Sequence, residues 1–394
     1  ATAASAAAIF DSVSVGSDTT ATYGSGLVEG VRYYARIAGS KDGGGVVKDE
    51  VLKRYPKDKY VCYAIEKDED NRNDEEAESI KGVPCLVGPL VPRIQLRGAR
   101  FYMPFLRAVG YHIIAPLRVN QIVNFARTHK VELIWAELQY DALIIAEKVS
   151  QKSGIPFVGT VWDDPEGWFS DRGYDQFSKW FLRKRFISAL HSAHRVSTSG
   201  EAMQKVYEKE YGVKSVILRH GFEKPFIRSG KNPQQEIIIG YVGSVYGRDA
   251  WQAFLPVVAQ MNRSGKYLPI SFRIFGGGSF PLQQAGVKIE IRGWQPAEVM
   301  LQEIAECDFC YLTYWFEPKK RRHVELSFPN KFETYLAAGR PVLYHGPSYA
   351  GIVDAIHQHT VGLCINSLDP KDIEATLNRI ITDESLRLSY SHNA

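Results

Sequence analysis

Along most of the chain, short apolar runs of strand length alternate with stretches whose apolar residues recur at helical spacing. Residues 131–136 and 157–161 read as strands, with helical spacing over 140–150 between them. Further on, 236–242, 270–275, 287–291, 307–313 and 341–344 are short apolar runs, and three of them stop at glycines, at Gly243, Gly276 and Gly293. Strands alternating with helices over two separate stretches predict two parallel-sheet α/β units. The polar stretch 224–235, with two prolines and a glycine, suits a linker between them. Residues 1–228 and 229–380 are therefore expected to form two domains, with 381–394 a tail that crosses back to the first. At the N-terminal end, 6–15 is expected to hold a first strand. The glycine-rich 23–26 then leads into a helix-like run over 27–37.

The 394 residues are 45% hydrophobic and 23% charged, the balance of a folded globular chain. The net charge of +4 excludes binding of nucleic acid through bulk charge, and no nucleic-acid motif accompanies it. The sum hides a strong local pattern. Eight acids lie within 66–78, and 79–130 then contains no Asp or Glu at all. Arg93, Arg97, Arg100, Arg107, Arg118 and Arg127 punctuate that window, among Phe101, Tyr102, Phe105, Tyr111, Ile113 and Ile114. A basic segment interleaved with aromatics suits an anionic membrane surface or an anionic substrate. Ordinary helices whose arginine stems cover apolar surface are the plainer alternative.

Five cysteines do not make a disulfide framework. Cys307 and Cys310 lie in an apolar run and read as small core residues rather than metal ligands. No run reaches the roughly 18 apolar residues of a membrane span, and the Ala-rich start lacks the basic region of a secretory signal. A cytoplasmic protein, peripheral at the inner face of the membrane, is expected.

The stretch with the most chemistry is 325–342, Glu-Leu-Ser-Phe-Pro-Asn-Lys-Phe-Glu-Thr-Tyr-Leu-Ala-Ala-Gly-Arg-Pro-Val. Pro329 suits the first turn of a helix that Gly339 ends before the next strand. The amides at such a helix start favour an anion, and Lys331 adds a positive charge. A carboxylate one turn in, at Glu333, can accept hydrogen bonds from a ribose diol. On spacing alone, two surface glutamates would explain Glu325 and Glu333 equally well.

This stretch resembles the E-x7-E region of retaining glycosyltransferases with the GT-B fold, the large family 4 (group 1). The likeness continues in order through 240–249, 272–278, 289–294, 305–308, 347–352 and 361–363. In the first half it includes 195–201 and 218–222, so that it covers about residues 130–385. It implies two Rossmann-like, doubly wound domains facing a central cleft, the first holding the acceptor and the second the donor. It implies that Glu325 holds donor-sugar hydroxyls and Glu333 the nucleotide ribose. Backbone near Phe328, Pro329 and Asn330 would lie against sugar or phosphates, as would the loop at Gly243 and Ser244. Arg248 and Lys331 would neutralise the diphosphate. The family loop usually carries an Arg soon after the strand glycine, whereas here Ser244 follows Gly243 and Arg248 is the first cation. In the first domain, Asp163 or Asp164 either touches sugar or acceptor or caps a turn. The basic run 319–322 reads as a solvated loop.

The activity implied is retaining transfer of a sugar from a nucleoside-diphosphate sugar to a hydroxyl of a lipid-linked or polysaccharide acceptor. No cofactor or metal is obligatory for it. A sugar-nucleotide epimerase of the same fold and a non-catalytic binding protein are the alternatives.

Overall fold

The computed structural model describes residues 33–35, 52, 55–64, 82–88, 99–139, 142–171, 174–219, 221–222, 235–276 and 283–394. The expected strand at 6–15, the loop at 23–26, the acidic run, the linker 224–235 and residues 89–98 of the basic segment all lie outside the described residues, apart from Gln235. The chain divides into two compact units, Ala1–His220 and Gly221–Ala394.

Among the described residues, the first unit is built on seven parallel strands: β1 (Tyr33–Ala35), β2 (Tyr60–Ala64), β3 (Cys85–Val87), β4 (Leu133–Glu137), β5 (Phe157–Val161), β6 (Arg195–Thr198) and β7 (Ser215–Ile217). Their spatial order is β3-β2-β1-β4-β5-β6-β7. One expectation fails here. Residues 33–35 lie inside the run expected to be helical, yet they form β1, paired in register with both Tyr60–Cys62 and Leu133–Trp135. Tyrosines suit a strand, and a parallel partner on each edge takes up the backbone groups that a helix would otherwise satisfy internally.

From residue 99 on, the described helices of this unit are α1 (Ala99–Val109), α2 (Ala115–Thr128), α3 (Ala142–Ser153), α4 (Pro165–Asp171), α5 (Gln176–Ser192) and α6 (Glu201–Tyr211). A π-turn, Gly110–Ile114, joins α1 to α2 without interrupting the helical course. Glu147 of α3 is buried, and Arg185, Ser188 and Ser192 of α5 all donate to its carboxylate, which fixes one helix on the other.

The second unit repeats the plan with β8 (Ile237–Val242), β9 (Ile270–Phe275), β10 (Lys288–Gly293), β11 (Phe309–Thr313), β12 (Val342–His345) and β13 (Gly362–Ile365). The order is β10-β9-β8-β11-β12-β13, again all parallel. Every residue of β11 and β12 is buried, as a sheet covered on both faces requires. Helices α7 (Arg248–Ser264) and α12 (Pro370–Thr382) cover one face through Trp251, Phe254, Ile373 and Leu377. Helices α8 (Ala297–Ala305), α10 (Asn330–Ala337) and α11 (Gly351–His359) cover the other through Ile304, Tyr335 and Ile356. Between α8 and α10 in sequence lies the short α9 (Arg321–Leu326). The tail forms α13 (Glu384–Asn393), where Arg387 donates to the Ile380 carbonyl (2.6 Å) and Asn393 to that of Thr360 (2.9 Å). Cys307 and Cys310 are fully buried free thiols, and burial pushes Cys307 up to about 12.

A buried polar chain runs through this core. Tyr311 donates to His345 Nδ1 (2.6 Å), and His345 Nε2 donates to the Ser367 carbonyl (2.9 Å). Burial lowers the imidazole from 6.5 to about 4, so it is neutral at pH 7 and Nδ1 is the acceptor. The unfolded chain takes up this proton first as pH falls, so the stabilisation is complete above 6.5 and is lost as pH drops toward 4. The loss amounts to about 3 kcal/mol. Denaturant unfolding across that range is expected to show it, and His345→Gln is expected to flatten the slope.

Candidate active site in the second unit

In an open parallel sheet, ligands bind beyond the carboxyl ends of the strands where the strand order reverses. In the second unit the reversal lies between β8 and β11, and the loop 243–247 leaves β8 at that point to start α7. Four contacts shape it. Gly243 N donates to the Phe275 carbonyl (2.7 Å), and Tyr241 Oη to the Ser244 carbonyl (3.0 Å). Thr313 Oγ1 donates to the Tyr246 carbonyl (2.7 Å), and Asp249 accepts from Phe316 N (2.7 Å). Gly247 has φ +67°, and a Cβ there would come 2.9 Å from the Tyr314 carbonyl oxygen. Only glycine fits both constraints.

Beside this loop, three neighbouring strands end in glycine. Gly243, Gly276 and Gly293 all have positive φ, Gly276 N donates to the Gly293 carbonyl (2.6 Å), and a Cβ on Gly276 would sit 3.1 Å from Gly243 Cα. The ends of β8, β9 and β10 thus carry no side chains of their own at these three positions, and Lys331 lies over the first of them.

The E-x7-E stretch lies beside the same edge. Glu325 is on α9, half-exposed, with a carboxylate oxygen 3.9 Å from Arg321 Nε. Ser327 N then donates to the His323 carbonyl (2.9 Å), Phe328 packs edge-on against Phe332, and the chain enters α10. Pro329 stands at the N-cap, one position before the expected first turn. Val242 N donates to Tyr335 Oη (3.2 Å), which itself donates to the Tyr311 carbonyl (3.0 Å), so α10 is fastened to both switch-point strands.

Lys331, in the first turn of α10, is the centre of the arrangement. Its Nζ donates to the Ser244 carbonyl (2.5 Å) and to Tyr241 Oη (2.9 Å). It lies 4.1 Å from the ring centres of both Tyr241 and Tyr246. Desolvation pulls its pKa well below 10.5. Glu333 sits two residues further along the same turn.

The structure therefore brings together Gly243, Ser244 and Lys331, and holds Pro329, Asn330 and Glu333 on the same helix start. Arg248 opens α7 at the end of the loop and is exposed. Asp163 belongs to the first unit, past the end of β5. Its neighbour Asp164 is buried, accepts from Glu166 N (3.1 Å) and Tyr207 Oη (3.2 Å), and so caps α4. The basic run 319–322 is more ordered than a solvated loop. Lys319 pairs with Glu317 (2.7 Å), Lys320 lies over Trp315 and Arg321 over Tyr349.

Spacing alone missed Tyr241 and Tyr246, the two rings that enclose Lys331. It also missed Ser327, whose buried Oγ has no hydrogen-bond partner among the described residues. Buried hydroxyls are ordinarily satisfied, so this one is an unmet hydrogen-bonding group beside the 328–330 backbone. Among the described residues no group of three or more His, Cys, Asp or Glu could hold a metal ion. No described helix is long and apolar enough to cross a membrane.

Residues 236–383 match the family model of glycosyl transferases group 1. The chain is structurally similar to HepE of Anabaena in complex with UDP and glucose, with a TM-score of 0.60, 15% identity and 92% of each chain covered. It is similar to sucrose-phosphate synthase of Thermosynechococcus elongatus, with a TM-score of 0.63, 12% identity and 92% of each chain covered. A structure from E. coli described as trehalose-6-phosphate bound with UDP-2-fluoro glucose matches with a TM-score of 0.59 and 11% identity, covering 92% of this chain and 94% of that one. No curated protein sequence matches. The fold is GT-B, and within it the match to the group 1 glycosyl transferase model falls on the second unit.

Proposed function

We propose that the protein is a retaining glycosyltransferase. It takes a sugar from a nucleoside-diphosphate sugar and delivers it to a hydroxyl of a lipid-linked or polysaccharide acceptor at the cytoplasmic membrane face. The observation that carries this reading is Lys331, held by two tyrosines against the loop at the switch point, with Glu333 in the same helical turn. UDP is the donor nucleotide we favour, because HepE is described with UDP and glucose.

In this reading Lys331 and Arg248 meet the diphosphate, together with the amides of the 243–247 loop. Glu333 takes the ribose hydroxyls. Glu325, the hydroxyl of Ser327 and the backbone of 328–330 take the sugar. Cleavage leaves an oxocarbenium-like sugar and a diphosphate with an additional negative charge. Fixed cations and amides stabilise that charge without reorganising. The acceptor hydroxyl attacks on the face the phosphate leaves, and the phosphate oxygen takes its proton, so configuration is retained.

Thermal unfolding against UDP-, GDP-, ADP- and TDP-sugars tests the donor site. The correct donor at a hundred times its Kd is expected to stabilise the fold by about 2.7 kcal/mol. That gain is expected to vanish in Glu333→Ala and to shrink in Arg248→Ala. No stabilisation by any of the panel removes the assignment. Consumption of the donor sugar nucleotide without acceptor, as an epimerised product, would favour the epimerase reading.

A further inference from the structure

The exposed large hydrophobic residues described in the first unit are not scattered. All of them, Phe105, Ile113, Leu117, Phe177, Trp180 and Ile187, lie on the α1–α2 stretch or on α5. Four of these are more than half exposed: Phe105 at 69%, Ile113 and Leu117 at 60%, and Phe177 at 54%. Single exposed apolar residues are ordinary on a soluble surface, whereas a concentration of them marks an interaction site.

Two helical stripes produce this concentration. On α5, Phe177, Trp180, Lys184 and Ile187 recur at three- and four-residue spacing and share one side. On α1–α2 the π-turn is decisive. Eight residues of pure α-helix would rotate Ile113 about 80° from Phe105, and the extra residue absorbed by the π-turn cuts this to about 20°. Leu117 follows one turn later. The stripes border a common seam, because Phe181, next to Trp180, stacks on Tyr111 (5.5 Å) and meets His112 (5.2 Å), next to Ile113.

Charge selects the occupant. Neither the 99–128 stretch nor α5 contains a single Asp or Glu. Three of their arginines are matched by acids from elsewhere, as Arg107–Asp175, Arg183–Glu166 and Arg185–Glu147. Lys179, Lys184 and Arg118 are paired with no acid among the described residues. Lys184 lies over the Trp180 ring (4.2 Å), and Arg118 donates to the neutral Gln121 (2.7 Å). Aromatic and aliphatic tips beside unmatched cations are what an anionic bilayer surface accepts.

We infer that this seam docks the first unit onto an anionic lipid bilayer. Phe105, Ile113, Leu117, Phe177 and Trp180 enter the interfacial layer, and Lys179, Lys184 and Arg118 meet lipid phosphates. The inference names the surface that would serve the membrane face in the proposed function and rests on that part of it, whereas the donor site stands apart from it.

Flotation of the full chain with vesicles of phosphatidylcholine, with or without phosphatidylglycerol, tests it. The protein is expected to float with the phosphatidylglycerol vesicles, not with pure phosphatidylcholine, and to be released as salt rises. Lys179→Gln with Lys184→Gln is expected to weaken binding roughly thirty-fold, at about a factor of five for each lysine. Phe177→Ser with Trp180→Ser is expected to abolish flotation at unchanged unfolding temperature, since both side chains are exposed. Stabilisation by the sugar nucleotide should survive in both double variants, so loss of docking is distinguishable from loss of the donor site. Absence of flotation at low salt, or equal flotation of wild type and both variants, overturns the inference. Self-association abolished by Phe177→Ser with Trp180→Ser, without vesicle binding, would assign the seam to a second copy of the chain and overturn it too.

Discussion

Replacing Lys331 with alanine is expected to weaken binding of the nucleotide sugar by about a hundredfold, the usual cost of truncating one partner of a buried charge pair. Calorimetric titration with the donor found in the thermal screen is the measurement. The fold is expected to persist, because the variant removes an ammonium whose burial is a cost in the empty site. Burial holds its pKa well below 10.5 there, and a diphosphate would restore what desolvation removes. Affinity should therefore fall as pH rises through the lowered pKa, and binding near that pH should take up a proton. Titrations in buffers of different ionisation enthalpy would reveal the uptake. Lys331→Arg should not restore the affinity, since a longer, planar guanidinium cannot place a compact charge at the point where the ammonium meets both the Ser244 carbonyl and Tyr241 Oη. Affinity unchanged in Lys331→Ala would remove this residue from the site.

Gly362→Ala should have the largest effect on stability. A Cβ at this position would lie 1.9 Å from the Val342 carbonyl oxygen on the paired strand. Both atoms belong to rigid backbone in a fully packed sheet, so β13 must move away from β12. The expected cost is about 3 kcal/mol or more, seen as a drop of about 10 °C in Tm. The shift reaches further than the strand. Ile365 accepts from Gly346 N (3.0 Å), and Ser367 anchors the His345 ring. Calorimetric unfolding with an unchanged Tm would contradict the strand pairing described for this edge.

The second unit was legible in the sequence because its strands are buried on both faces, and such strands show as continuous apolar runs. The glycines that stop them mark their carboxyl ends as well, which is why Gly243, Gly276 and Gly293 could be placed before any coordinates. Residues 33–35 were misread for the converse reason. Three residues are too few to show a period, and what makes them a strand is pairing with Tyr60–Cys62 and Leu133–Trp135, far along the chain. The site was half legible. Lys331 and Glu333 stand in one helical turn, so local spacing finds them. Tyr241 and Tyr246 reach Lys331 across some 90 residues of sequence, and no local pattern encodes that. Of the exposed stripes, the absence of acids pointed to Phe105 and Ile113, whereas the stripe on α5 escaped notice because an apolar periodicity looks the same whether it faces the core or the solvent. The π-turn added a further shift of register.

The three glycines at the strand ends also bear on how such a protein can change over time. Under the proposed function, part of the donor is met by main chain, and recognition by main chain is recorded in a sequence mainly as missing side chains. Mutation can then exchange nearly every residue around the nucleotide while the recognition geometry persists, so long as those few positions stay bare. Identities of 12% and 15% alongside TM-scores of 0.63 and 0.60 show that a shared fold needs few shared letters. Under that reading, a side chain added at any of the three glycines would close the nucleotide seat, whereas exchanges around it would leave the seat standing and free the sugar pocket to vary.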